Sequence, residues 1–175
     1  MTKPNLILLT VGCSNSSVVM RMLKELGWNV GDADAEYAES VSVRAVNRRP
    51  FNAPAARKAL AALPQPWAVK DPRFCETLRL WRPLLEPYRP FLLWVTKDHE
   101  YVRASFARRF KAKPEWADNR LKWCGTYFAG WPWGKLRLDV DQIAAAVRLF
   151  DPGRAFAFAG TAIPAKGNAH EKRSD

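Results

Sequence analysis

The chain has 175 residues, 48% hydrophobic and 12% aromatic, which is enough for one good core and predicts a single domain over residues 1–163 with a disordered, small and charged tail over 164–175. With 28 Lys and Arg against 17 Asp and Glu, the formal net charge is +11, so an anionic partner is expected: a nucleotide, a nucleic acid or an acidic substrate. Cys13, Cys75 and Cys124 are widely spaced, and only His99 and His170 accompany them, which argues against a disulfide scaffold and a structural zinc and predicts reduced thiols in the cytoplasm.

In chain order, Leu6–Val11 is a short apolar run ended by Gly12. It is too brief for a membrane span and lacks a small-residue cleavage site, so it reads as a buried strand of a parallel sheet. From Ser17 the period changes. Val18, Val19, Met22, Leu23 and Leu26 fall on one helical face, with Gly27 at the C-terminal cap. Between strand and helix lie Gly12, Cys13, Ser14, Asn15, Ser16 and Ser17, a loop of small residues whose amides and hydroxyls suit an anion at the helix N-terminus. Asp32, Asp34 and Glu36 precede a mildly amphipathic stretch and read first as caps. Asn52 caps a predicted helix over Pro54–Leu63, and Pro64 and Pro66 force an extended lead into a second buried strand, Trp67–Lys70. Lys70-Asp71-Pro72-Arg73 then stands at that strand's C-terminal end, the side on which open α/β sheets bind ligands.

Phe74–Leu85 reads as a helix with Leu78, Trp81 and Leu85 inward. Phe91–Val95 is a third parallel-type strand. Asp98 is the expected N-cap of a helix over Tyr101–Phe110, leaving Lys97 at the strand exit and Ser105 two turns in. A further helix is expected after Pro114, within the basic, Trp-bearing segment Arg108–Trp123. Trp123, Trp131 and Trp133 are expected in the core or a lid. Lys135–Val140 alternates like a strand, and Asp141–Phe150 carries the stripe of a helix. Strands alternating with helices predict an α/β fold, a three-layer α/β/α sandwich around a central parallel sheet.

Three phosphate chemistries suit the first loop. A nucleotide-kinase loop, Gly-x-x-x-x-Gly-Lys-Ser/Thr counted from Gly12, would need Gly at Ser17 and Lys at Val18, and so is excluded. A cysteine phosphatase starting at Cys13 would need Arg at Val19 and a cation to lower the thiol pKa, and so is disfavoured. A sulfotransferase-type loop remains. Gly12-Cys-Ser-Asn-Ser-Ser17 followed by Leu26-Gly27-Trp-Asn-Val-Gly31 resembles the first loop and helix of bacterial sulfotransferases that use 3′-phosphoadenosine 5′-phosphosulfate (PAPS). Lys70-Asp-Pro-Arg73 is similar to the sequence ending a central strand in those proteins. Lys97-Asp98, with Ser105 eight residues after Lys97, is similar to their Arg-Asp/Asn-Pro motif and its Ser.

The resemblance, which covers roughly residues 5–110, implies a P-loop NTPase-like fold. It implies PAPS as co-substrate and in-line transfer of a sulfuryl group to a hydroxyl or amine, with no metal. It assigns Gly12, Cys13, Ser14, Asn15, Ser16 and Ser17 to the 5′-phosphosulfate, and Lys97 and Ser105 to the 3′-phosphate. Lys70, Asp71 and Arg73 are the catalytic candidates: Lys70 as the cation beside the transferring group, Arg73 to orient the acceptor or hold Asp71. Asp71, Asp34, Glu36 and His99 are the candidate bases. Asn15 stands where the family carries Arg or Lys, Val18 replaces a Thr, Lys97 replaces Arg and loses its bidentate fork, and His99 replaces Pro. The Gly-x-x-Gly adenine loop has only Gly160 to Gly167 as a remnant. Two alternatives stand beside this expectation, a catalytically inactive sulfotransferase-fold binding protein and a basic nucleic-acid-binding module.

Overall fold

A computed structural model describes residues 3–12, 14–48 and 50–139. Its elements are β1 (Leu6–Leu9), α1 (Ser16–Glu25), α2 (Val41–Val46), α3 (Ala53–Ala61), β2 (Ala68–Lys70), α4 (Phe74–Leu85), β3 (Phe91–Thr96), α5 (His99–Phe110), α6 (Pro114–Ala129) and β4 (Lys135–Asp139). The predicted helix over Asp141–Phe150, the Gly160–Gly167 remnant and the 164–175 tail lie outside the described residues, as does Cys13.

The four strands form one sheet in the order β2-β1-β3-β4, and every pairing is parallel, with Ile7 opposite Val69 and Leu92. Each residue of β1 is fully buried because both faces are covered, which is why its sequence is continuous rather than alternating. Leu6 and Leu8 pack with Val19, Met20 and Leu23 of α1. Ile7 and Leu9 face the opposite cluster, which draws Leu60 from α3, Leu78 and Trp81 from α4, Phe106 from α5 and Cys124 from α6. Helices therefore flank the sheet on both sides, an arrangement compatible with the expected three-layer sandwich.

Local chemistry fixes the element ends. Asn52 Oδ1 accepts from Ala55 N at 2.9 Å, and Asp98 Oδ1 accepts from Tyr101 N at 2.8 Å, so α5 begins at His99, two residues before the expected start. Gly27 follows the α1 C-cap with φ of 89°, a conformation that favours glycine. The segment after α1 runs outside β2: Asn29 N donates to Pro66 O and Asn29 O accepts from Ala68 N, both at 2.8 Å. Cys75 and Cys124 are free and buried, and their mutual hydrogen bond together with burial pushes the Cys124 thiol far up. Trp131 is buried and Trp133 packs edge-on against it at 5.0 Å. Trp123, expected in the core or a lid, is not in the core: it is 44% exposed on α6.

Candidate functional site

The parallel sheet sends the exits of β1, β2 and β3 to one edge. Leu8 pairs with Lys70 and Leu9 with Trp94, so Thr10–Gly12, Lys70–Arg73 and Lys97 all emerge at the C-terminal edge, the side on which open parallel sheets bind ligands.

The first loop is built around Thr10, which is buried. Its hydroxyl is hydrogen-bonded to Ser14 Oγ and lies 3.4 Å from Gly12 N. Gly12 has φ of 82°, and the loop passes close to Pro72 of the neighbouring strand exit. Asn15, also left-handed at φ of 55°, occupies the N-cap of α1 but makes no side-chain capping bond. The first-turn amides, which a helix cannot satisfy internally, are thus left without a side-chain cap. Ser14 and Ser16 are buried, so the loop offers its backbone more than their hydroxyls.

Lys70 is the last residue of β2 and is 2% exposed. Its side chain points to the α1 face, as the alternation from Ala68 requires, and Nζ donates to Ser17 Oγ at 2.9 Å and to the Tyr37 carbonyl. Ser17 Oγ in turn donates to Tyr37 O at 2.7 Å. Burial pulls the Lys70 ammonium down from 10.5 to about 8, against the opposing pull of Glu39, Asp34 and Asp71. Burial likewise pushes the Glu39 carboxyl up, offset in part by Lys70. Asp71 is fully buried, accepting from Arg73 N at 2.8 Å and from its guanidinium at 3.3 Å. Arg73 is therefore an orienting partner of Asp71 at the start of α4.

Lys97 follows the exit of β3, and Ser105 lies two turns into α5. Lys97 Nζ lies 3.9 Å from the centre of the Tyr101 ring, beside a small cavity of about 290 Å³ that Trp94, His99 and Arg137 also line. Ser105 is buried on α5 and accepts from Arg108 at 3.4 Å. The structure joins Lys70 directly to the α1 loop through Ser17, whereas Lys97 and Ser105 each engage a different neighbour. His99 pairs with Asp118 at 2.9 Å, and Asp34 with Arg44 at 3.0 Å.

Sequence reading names Asp34 and Glu36 but misses Tyr37, Glu39, Arg21 and Arg109, which with them close the site. The 33–40 segment folds over Lys70, held by Arg21, which donates to Glu36 O at 3.0 Å, and by Arg109, whose guanidinium lies 4.8 Å from the Tyr37 ring. Since α5 starts at the β3 exit and its Arg109 reaches Tyr37, the helix crosses the C-terminal edge. A tyrosine acting through its carbonyl leaves no side-chain signal. Arg108-Arg109 was visible only as part of a basic run.

No family model matches the chain, and no curated protein matches it either. Among the described residues no group of three or more His, Cys, Asp and Glu side chains could hold a metal ion, and no helix is long and apolar enough to cross a membrane.

Proposed function

We propose that this edge binds a doubly phosphorylated nucleotide and that the protein is a PAPS-dependent sulfotransferase of P-loop NTPase-like fold. The observation that carries the reading is the 2.9 Å contact between Lys70 Nζ and Ser17 Oγ, which brings a buried cation from β2 to the first turn of α1. The nucleotide-kinase loop places its lysine in the loop itself; here a neighbouring strand supplies it. An ammonium has three donors, two of which Ser17 and Tyr37 occupy, leaving one for a phosphosulfate oxygen. The amides of the Gly12–Ser17 loop hold the 5′-phosphate, and Lys97 with Ser105 holds the 3′-phosphate.

In the reaction the acceptor oxygen or nitrogen attacks sulfur in line. The bond from sulfur to the bridging oxygen breaks with its electron pair, 3′-phosphoadenosine 5′-phosphate leaves, and the acceptor proton passes to a base. Lys70 neutralises charge building on the bridging oxygen, the role Asn15 cannot fill; this is positioning and electrostatic stabilisation rather than covalent catalysis. Of the carboxylates, Glu39 is the candidate base: its ion pair with Arg44 is long at 3.9 Å and burial raises its proton affinity, whereas Asp71 is held by Arg73 through both its backbone N–H and its guanidinium.

Thermal unfolding with added nucleotide tests the reading. 3′-Phosphoadenosine 5′-phosphate is expected to raise Tm by several degrees, about 2.7 kcal/mol of stabilisation at a hundredfold excess over Kd, and AMP, lacking the 3′-phosphate, by much less. Equal or absent responses to the two nucleotides contradict it.

A further inference from the structure

Outside the β2 edge, away from the loop and strand exits just described, a groove of about 1060 Å³ opens between α2, α3 and the chain from Asn29 to Asp32. Its size is at the upper end of small-molecule sites. The floor exists because α3 and its C-cap present small alanine side chains to the groove at Ala55, Ala59 and Ala62, spaced i, i+4 and i+7 along one side, and α2 answers with Ala45 and Val46. Larger side chains there would fill the space. One wall is tightly set: Gly31 has φ of 59°, and a Cβ at that position would lie 2.5 Å from Leu63.

The rim is charged. Arg48 and Lys58 are exposed and both line the groove. The acid among the lining residues, Asp32, is exposed and accepts from Ser42 N and Ser40 Oγ, each at 2.7 Å; against partial desolvation, these neutral donors hold its carboxyl below the usual range, so it stays anionic and offsets one of the two cations. An apolar trough whose lining carries Arg48 and Lys58 against the single carboxylate of Asp32, an excess of one positive charge, complements a molecule that has an apolar body and an acidic head.

We propose that the α2–α3 groove is a binding site for a small amphipathic anion, its apolar body lying on the alanine floor and its carboxylate or similar head facing Arg48 and Lys58. The site shares no residue with the proposed nucleotide site, so the two stand or fall separately.

Calorimetric titration of the full chain with decanoate, below its micellar concentration, tests this. One saturable site is expected, with decyltrimethylammonium, of equal chain length, binding at least about tenfold more weakly. The double variant Arg48→Glu, Lys58→Glu should weaken decanoate about tenfold or more, and Ala62→Trp, which fills the trough, should remove binding. All three positions are exposed, so unchanged melting curves are expected to accompany these losses. Absence of saturable decanoate binding, equal binding of the ammonium, or unaltered affinity in both variants overturns the proposal.

Discussion

Lys70→Met is expected to cost about 10²–10³ in turnover, the magnitude associated with removing one preorganised group that stabilises transition-state charge, while leaving the protein folded and more stable at neutral pH. The two effects have one cause. Lys70 is held at about 8 by burial against 10.5 in the open chain, so between those values the unfolded chain carries the extra proton and rising pH favours the folded state. Below pH 8 the buried charge costs about 3 kcal/mol at 1.36 kcal/mol per pKa unit. Denaturant titrations of wild type and variant should therefore converge as pH rises from 8 to 10.5, with the variant ahead at pH 7. Nucleotide affinity of the wild type should move the other way and fall above pH 8, because the neutral amine no longer attracts phosphate. Parallel stability profiles, or turnover within twofold of wild type, would show that Lys70 is an ordinary packed lysine.

Asn47→Ala carries the largest expected loss of stability. Asn47 is 3% exposed at the C-terminal end of α2, and its Oδ1 accepts from Thr77 Oγ1 at 2.8 Å and from Trp81 Nε1 at 2.6 Å. Trp81 is itself buried between Phe51 and Phe74, with ring centres at 5.5 and 5.6 Å. The variant strips the indole N–H of its acceptor in the core. Each unsatisfied buried donor costs about 1–3 kcal/mol. The single Thr77 hydroxyl proton can turn to Arg73 O, 3.0 Å away, so the indole dominates, and the lost side-chain volume adds to the cost. At about 2–4 °C per kcal/mol for a chain of this size, calorimetry should show Tm lowered by about 5–10 °C. A shift within about 1 °C would mean that the helix pair does not depend on this bond.

How far the sequence speaks for the structure varies by residue. The runs at Leu6 and Phe91 are legible because a strand covered on both faces must be apolar throughout, and Asp98 and Asn52 because a cap's chemistry is local. The end of β1 at Leu9 rather than Val11 is set by Thr10, whose hydroxyl gathers the loop, a tertiary choice that hydropathy does not encode. Trp123 shows the converse: its hydrophobicity suggests burial, yet the α6 face that meets the core carries Ala117 and Cys124. At the site, Lys70 could be read as a strand-exit cation, but its burial could not, since that comes from the Tyr37 carbonyl and the 33–40 segment. Glu39 was hidden for the same reason, its proton affinity being raised only once the segment closes. The pairing of Lys97 with Tyr101, rather than with Ser105, depends on which rotamer an i+4 aromatic can capture.

The central claim is that the α1 loop with Lys70, and Lys97 with Ser105, grip opposite ends of one nucleotide. A crystal structure of the chain with 3′-phosphoadenosine 5′-phosphate tests it most directly. The account predicts the 5′-phosphate on the amides between Gly12 and Ser17, within hydrogen-bond reach of Lys70 Nζ, and the 3′-phosphate at Lys97 and Ser105. Nucleotide bound anywhere else on the surface, or a C-terminal edge that stays empty at saturating concentration, would contradict it.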